Sequence, residues 1–145
     1  MQLLLDTSAF LWMAYEPHRL PPQVSAACAD RANTLVISVA SVWEIQTKME
    51  VERRKAAQGS TYQSNYPVGD DSALQHLLST QRAQGLVLRT IALRHVRGMA
   101  QLPWHHKDPF DRIILATALV DRLKLISSDS EFPAYIADGV DVWWT

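Results

Sequence analysis

The sequence predicts an α/β fold in three layers, a mostly parallel sheet covered by helices on both faces. Short leucine-rich or β-branched runs alternate with longer stretches of helical period along the 145 residues. These runs are apolar throughout, as strands buried on both faces must be. The first of them passes directly into Asp6-Thr7-Ser8, residue types that start helices, which is the strand-to-helix order of a parallel sheet.

The elements follow in order. Gln2–Leu5 is the first strand, and Phe10, Leu11, Met13 and Ala14 continue as a helix until Pro17. Pro21-Pro22 opens a second helix, because proline suits the first helical turn, with Val24, Ala27 and Cys28 as its apolar stripe. Thr34–Ser38 is a second buried strand. From Ser41 a helix runs past Met49, with Val42, Ile45 and Met49 on one face and Glu50, Glu52, Arg53, Arg54 and Lys55 at its exposed end. Gln58–Gly69 is polar and reads as a loop. Asp70 or Asp71 caps a helix carrying Leu74, Leu77 and Leu78, and Leu86–Arg89 is a third strand. Thr90 caps the next helix, with Leu93, Val96 and Ala100 inward, stopped by Pro103. Asp108-Pro109-Phe110-Asp111 begins a helix that is apolar nearly all round to Leu123, which marks a central position. Leu125–Ser127 and Val140–Trp143 are the last strands, with a short helix from Asp129 between them. There is no internal repeat, and one domain spans 1–145.

Net charge is −1, so no global positive field attracts nucleic acid and any such binding needs a local basic patch. A charge near zero also does little to keep monomers apart. The single cysteine, Cys28, excludes an intrachain disulfide and reads as a packed core thiol. The N-terminus lacks a basic region and Asp6 interrupts its apolar run, unlike a signal peptide. No stretch reaches the roughly 18 apolar residues that span a bilayer. The expectation is a cytoplasmic protein without a membrane partner.

The acids are ambiguous one by one. Asp6 and Asp129 follow strands and should project at the edge where parallel sheets bind ligands, yet each is equally placed to cap the next helix. Glu44 lies three residues after Ser41, and Asp111 three after Asp108, both with the spacing of a helix start. Ser128 and Glu131 share it. As a set they say more. Acids at helix starts that follow strands gather at one end of the sheet, where they repel and raise one another's pKa. A hard divalent cation relieves that repulsion, and oxygen-only donors select Mg²⁺ or Mn²⁺, as one or two ions. His105 and His106 have no second His or Cys at metal-ligand spacing and read as loop residues. One or two such ions activate water for phosphodiester hydrolysis without a protein nucleophile, and the chain offers neither a triad nor a glycine-rich phosphate loop.

The segments LLLDTSAFLW (Leu3–Trp12), SVASVWEIQTK (Ser38–Lys48), HKDPFDRIILATAL (His106–Leu119) and LISSDSEF (Leu125–Phe132) resemble the PIN-domain family, and within it the VapC-type toxin nucleases of bacterial toxin–antitoxin pairs. They occur in family order across nearly the whole chain; between Lys48 and Pro103 the match is poor. The resemblance places the family's acids on Asp6 (with Thr7 or Ser8 beside it), Glu44, Asp111 and Asp129, and gives Asp108 a supporting role. It implies a five-stranded parallel sheet and a Mg²⁺- or Mn²⁺-dependent endoribonuclease leaving a 5′-phosphate and a 3′-hydroxyl. It also implies a homodimer and a cognate VapB-like antitoxin. Lys48, Arg53, Arg54 and Lys55, with Lys107 and Arg112 beside Asp111, are the candidate RNA-backbone contacts. Trp12, Trp43 and Trp104 adjoin the motifs and serve either base stacking or packing. Two alternatives stand beside this: a catalytically silent member of the family that binds RNA or a partner, and a phosphatase of the haloacid-dehalogenase type. The latter family carries D-x-D after its first strand, where this chain has Ser8.

Overall fold

Successive leucines of the first strand point to opposite faces of the sheet, and this sorts the core into two halves. A computed structural model of the chain describes residues 1–59 and 67–144. The strands β1 (Gln2–Leu5), β2 (Thr34–Ser38), β3 (Val87–Arg89), β4 (Lys124–Ile126) and β5 (Asp141–Trp143) pair in parallel in the order β3-β2-β1-β4-β5. Leu3 and Leu5 join one cluster with Ile37 and Ile126, while Leu4 joins the other with Val36 and Leu125. That alternation is the two-residue period of a strand.

The first cluster is covered by α1 (Thr7–Tyr15), α2 (Pro22–Ala29), α3 (Val39–Ala57) and α4 (Asp71–Ala83), through Phe10, Val24, Ile45, Met49, Leu74 and Leu77. Cys28 packs partly buried against it, as do Trp12, Trp143 and Trp144. On the opposite face lie α5 (Leu93–Met99), α6 (Pro109–Asp121) and a 3-10 segment, Phe132–Asp138. Ile114, Leu115, Phe132 and Tyr135 fill that half. The sheet is therefore the middle of three layers, as expected. No helix among the described residues is long and apolar enough to cross a membrane.

Three helix starts differ from expectation: those of α3 and α5, and that of the segment expected from Asp129, which begins at Phe132. α3 begins at Val39, because Ser38 ends β2 and at once caps the helix, its Oγ accepting the Ala40 N–H at 3.1 Å. Ser41 thus lies inside the helix, and Glu44 is not the acid of a capping box. α5 begins at Leu93, not after Thr90; Ala92 holds the cap position and His95 Nδ1 accepts its N–H at 3.0 Å. The buried face of α5 also differs. Leu93 and Val96 are 63% and 49% exposed, whereas His95 and Gly98 are buried. A β-carbon at Gly98 would sit 2.7 Å from Val120 Cγ2, so close approach to α6 turns this glycine inward. His95 follows it inward because Nε2 reaches Asp121 Oδ1 at 3.1 Å. Most of the polar Gln58–Gly69 stretch lies outside the described residues.

From β1 the chain adds β2 and β3 on one side, then crosses to add β4 and β5 on the other. The order reverses between β1 and β4, and the carboxyl ends of strands at such a switch point form a crevice.

Candidate active site

Asp6 stands at that crevice. Its backbone N–H continues the β1–β4 ladder to the Ile126 carbonyl at 3.1 Å, and its Oδ1 caps α1 by accepting the Ala9 N–H at 2.6 Å. Its Oδ2 accepts the Ser127 hydroxyl from the neighbouring strand end. Capping and facing the crevice are thus compatible, because a carboxylate has two oxygens. Asp6 is 5% exposed. Burial pushes its carboxyl up to about 6, against the Ser127 and Ala9 hydrogen bonds and with help from the charges of Asp129 and Glu44.

Glu44 enters from α3 and is buried. Thr7 Oγ1 donates to its Oε2 at 2.5 Å, and Lys48 Nζ, one turn along, pairs with Oε1 at 2.5 Å. Asp111 comes from the first turn of α6, whose cap is Asp108; Asp108 Oδ1 accepts the N–H groups of Phe110 at 2.8 Å and Asp111 at 3.4 Å. Burial, then the charges of Asp108 and Glu44, push the Asp111 carboxyl up to about 7; Asp129 adds to this and His106 opposes it. Asp129 follows β4, with its N–H on Ser127 Oγ at 3.0 Å and its Oδ1 accepting the Glu131 N–H at 2.8 Å.

These four acids line one cleft of about 250 Å³ together with Thr7, Ser8, Lys48, Asp108 and Ser128. A larger groove of about 930 Å³ lies elsewhere, around Cys28, Arg31 and Gln84, with Asp30 the only acid among the described residues that line it. The chemistry therefore belongs to the smaller cleft. Its donor set is carboxylate and hydroxyl oxygen, with Asp6 and Asp111 held protonated to unusually high pH by burial and by the charges of neighbouring carboxylates. That set fits a hard divalent ion such as Mg²⁺ or Mn²⁺.

The basic residues divide. Lys48 is at the cleft, while Arg53 turns to Asp71 at 3.4 Å and Lys55 to Glu52 at 3.9 Å. Arg54 and Lys107 are exposed. Arg112 is a correction to the expected RNA-contacting set. It is buried, and its guanidinium donates to the carbonyls of Pro103 (2.9 Å), Met99 (3.0 Å), Leu102 (3.2 Å) and His106 (3.4 Å) beneath the Trp104 ring. The carbonyls at and beyond the end of α5 need donors, and Arg112 supplies them. Trp43 is 60% exposed and meets Phe110 edge-on at 4.9 Å, so the two form an apolar rim beside Glu44 and Asp111.

Two residues at the site were given no role there by sequence reasoning. Ser127 links Asp6 to Asp129. His106 is buried, with Nε2 3.3 Å from Asp111, 3.2 Å from Asp129 and 3.2 Å from Glu131. The available signal was the spacing within His106-Lys107-Asp108-Pro109-Phe110-Asp111, which sets a histidine just ahead of the helix that carries the acid.

The PIN-domain family model matches residues 3–137. The chain belongs to the PIN-domain family. Solved structures similar to this PIN domain include DNA-bound VapBC from Salmonella typhimurium, at TM-score 0.63 and 14% identity over 99% of this chain and 97% of that one. VapBC2 from Rickettsia felis, bound to a DNA fragment from their promoter, aligns at TM-score 0.62 and 15% identity over 92% of both chains. VapBC-1 from nontypeable Haemophilus influenzae aligns at TM-score 0.61 and 16% identity over 100% of this chain and 97% of that one. At such identities the likeness is one of fold. No curated protein matches the sequence.

Proposed function

We propose that this protein is a divalent-metal-dependent endoribonuclease, the toxin of a toxin–antitoxin pair, held in check by a VapB-like antitoxin and acting as a homodimer in the cytoplasm. The observation that carries the reading is the meeting of Asp6, Glu44, Asp111 and Asp129 in one cleft at the switch point of the sheet. Membership of the PIN-domain family and the folds shared with chains of VapBC complexes support it.

In this reading the four acids hold Mg²⁺ or Mn²⁺, one or two ions, with Asp108 adding negative charge beside Asp111. When bound, the ion supplies positive charge against the phosphodiester and acidifies the attacking water. The chain's own residues prepare the ligands. Thr7 and Lys48 fix both oxygens of Glu44, and Ser127 with the start of α1 fixes both oxygens of Asp6. Lys48 keeps half of its side chain open to solvent, within reach of an RNA backbone entering the cleft. Lys107 and Arg54, both exposed, are the further candidates for contact with that backbone.

The test is cleavage of a total RNA pool by purified protein with Mn²⁺, with chelator, and with the Asp111→Asn variant. The expected result is cleavage in Mn²⁺ that chelator abolishes and that the variant loses by about 10²-fold or more, on the scale of removing a group acting on the transition state. Cleavage that persists in chelator, or at full rate in the variant, overturns the reading.

A further inference from the structure

His106 Nε2, an Asp129 oxygen and a Glu131 oxygen lie within 4.8 Å of one another, a grouping that by distance alone could hold a metal ion. The other ring nitrogen decides against that. His106 Nδ1 accepts the backbone N–H of Asp108 at 3.1 Å, so its lone pair is in use and it carries no proton. The ring proton is then on Nε2, which cannot offer a lone pair to an ion and faces three carboxylates as a donor.

We propose that His106 is a positioning residue: a fixed hydrogen-bond donor that aims Asp129 and Asp111 into the cleft, and not a metal ligand. This rests on the metal-site reading given above. The residue is held through its ring and its backbone alike. It meets Phe132 edge-on at 5.7 Å, the His106 N–H donates to Tyr135 Oη at 2.7 Å, and its carbonyl receives Arg112 Nη1 at 3.4 Å. The Asp108 N–H that pins the tautomer belongs to the cap of α6, the helix that carries Asp111. One ring therefore ties the start of α6 to the end of β4, two segments that share the cleft but are far apart in sequence. Without a donor between them, Asp111 and Asp129 repel, and the partly exposed Asp129 keeps the Glu131 N–H but loses the bond that turns its other oxygen toward Asp111.

The same arrangement recurs at the other end of α6. There His95 Nδ1 accepts the Ala92 N–H and Nε2 donates to Asp121, outside the acid-lined cleft. In both places a backbone N–H fixes the tautomer and a carboxylate takes the remaining proton.

Calorimetric titration of Mn²⁺ and of Mg²⁺ into wild type, His106→Ala and His106→Gln tests this. Alanine is expected to weaken both ions alike, by about 10–100-fold, and glutamine, whose Nε2 still donates, to recover most of the loss. Unchanged affinity in His106→Ala, a loss confined to Mn²⁺, or no rescue by glutamine overturns the proposal. The ¹⁵N spectrum of the metal-free ring reads the donor without relying on a variant that folds. A protonated Nε2 and bare Nδ1 support the proposal, and a proton on Nδ1 overturns it. Wild type that binds neither ion overturns the metal-site reading and this proposal with it, whereas wild-type binding with an indifferent His106→Ala overturns this proposal alone.

Discussion

Replacing Asp6 by asparagine should make the metal-free protein more stable relative to wild type as pH rises. The Asp6 carboxyl is held at about 6 in place of 3.8, chiefly by burial. Between those values the folded chain keeps a proton that the unfolded chain has released, so wild-type stability falls as pH rises through that window. At about 1.4 kcal/mol per pH unit the full penalty is about 3 kcal/mol once both states are ionised. Slightly under half of it, about 1.4 kcal/mol, falls between pH 5 and pH 8. Asparagine does not titrate, keeps an oxygen for the Ala9 N–H, and offers its amide to Ser127 Oγ. The Asp6→Asn minus wild-type difference should therefore grow by about 1.4 kcal/mol from pH 5 to pH 8. The assay is urea denaturation in chelator at both pH values. A difference that stays constant with pH, or shrinks, refutes the argument that burial strains this carboxylate. With Mn²⁺ at about 1,000 times its Kd the order should reverse, because an ion that binds only the folded wild type then adds about 4.1 kcal/mol, more than the full penalty.

Three further outcomes follow from other contacts. Ser127→Ala removes a hydrogen bond that lowers the Asp6 pKa, so the acid limb of Mn²⁺ binding should move up by about one pH unit; a limb that stays in place or moves down contradicts the assignment. Gly98→Ala forces a methyl against Val120 and should cost about 1–3 kcal/mol in urea denaturation. Adding Val120→Ala should return part of that stability, and a neutral Gly98→Ala would show that the α5–α6 contact is loose. Arg112→Lys replaces a planar donor that serves four carbonyls and should destabilise by about 2–3 kcal/mol. RNA binding that weakens in that variant more than stability explains would return Arg112 to the substrate-contacting set.

The helix assignments show where sequence reasoning succeeds and where it stops. β1 and β2 end where their apolar runs end, and α4 starts at the Asp70 cap, whose Oδ1 accepts the Ala73 N–H at 2.8 Å. These are local signals, carried by residues within one turn of each other. The start of α5 and its buried face were not legible, because the Gly98–Val120 approach and the His95–Asp121 bond span more than twenty residues of chain. Arg112 looked like a basic neighbour of an acid. Only the loop folding back over α6 shows that carbonyls already hold it.

Asp6, Glu44, Asp111 and Asp129 came from the sequence as four acids, each with a structural excuse. Their family positions were readable in the motifs, and strand-then-helix order already set three of them at one edge. Tertiary structure altered their standing in different ways. It moved the cap of α3 to Ser38, which removes the excuse for Glu44, and it showed Asp6 capping and facing the cleft at once. It also placed Asp129 and Glu131 beside His106, a meeting across 23 and 25 residues of chain that no spacing rule describes. The reason is physical: periodicity and capping are settled within a turn, whereas burial, repulsion between carboxylates and the direction of a ring proton depend on which strands lie side by side.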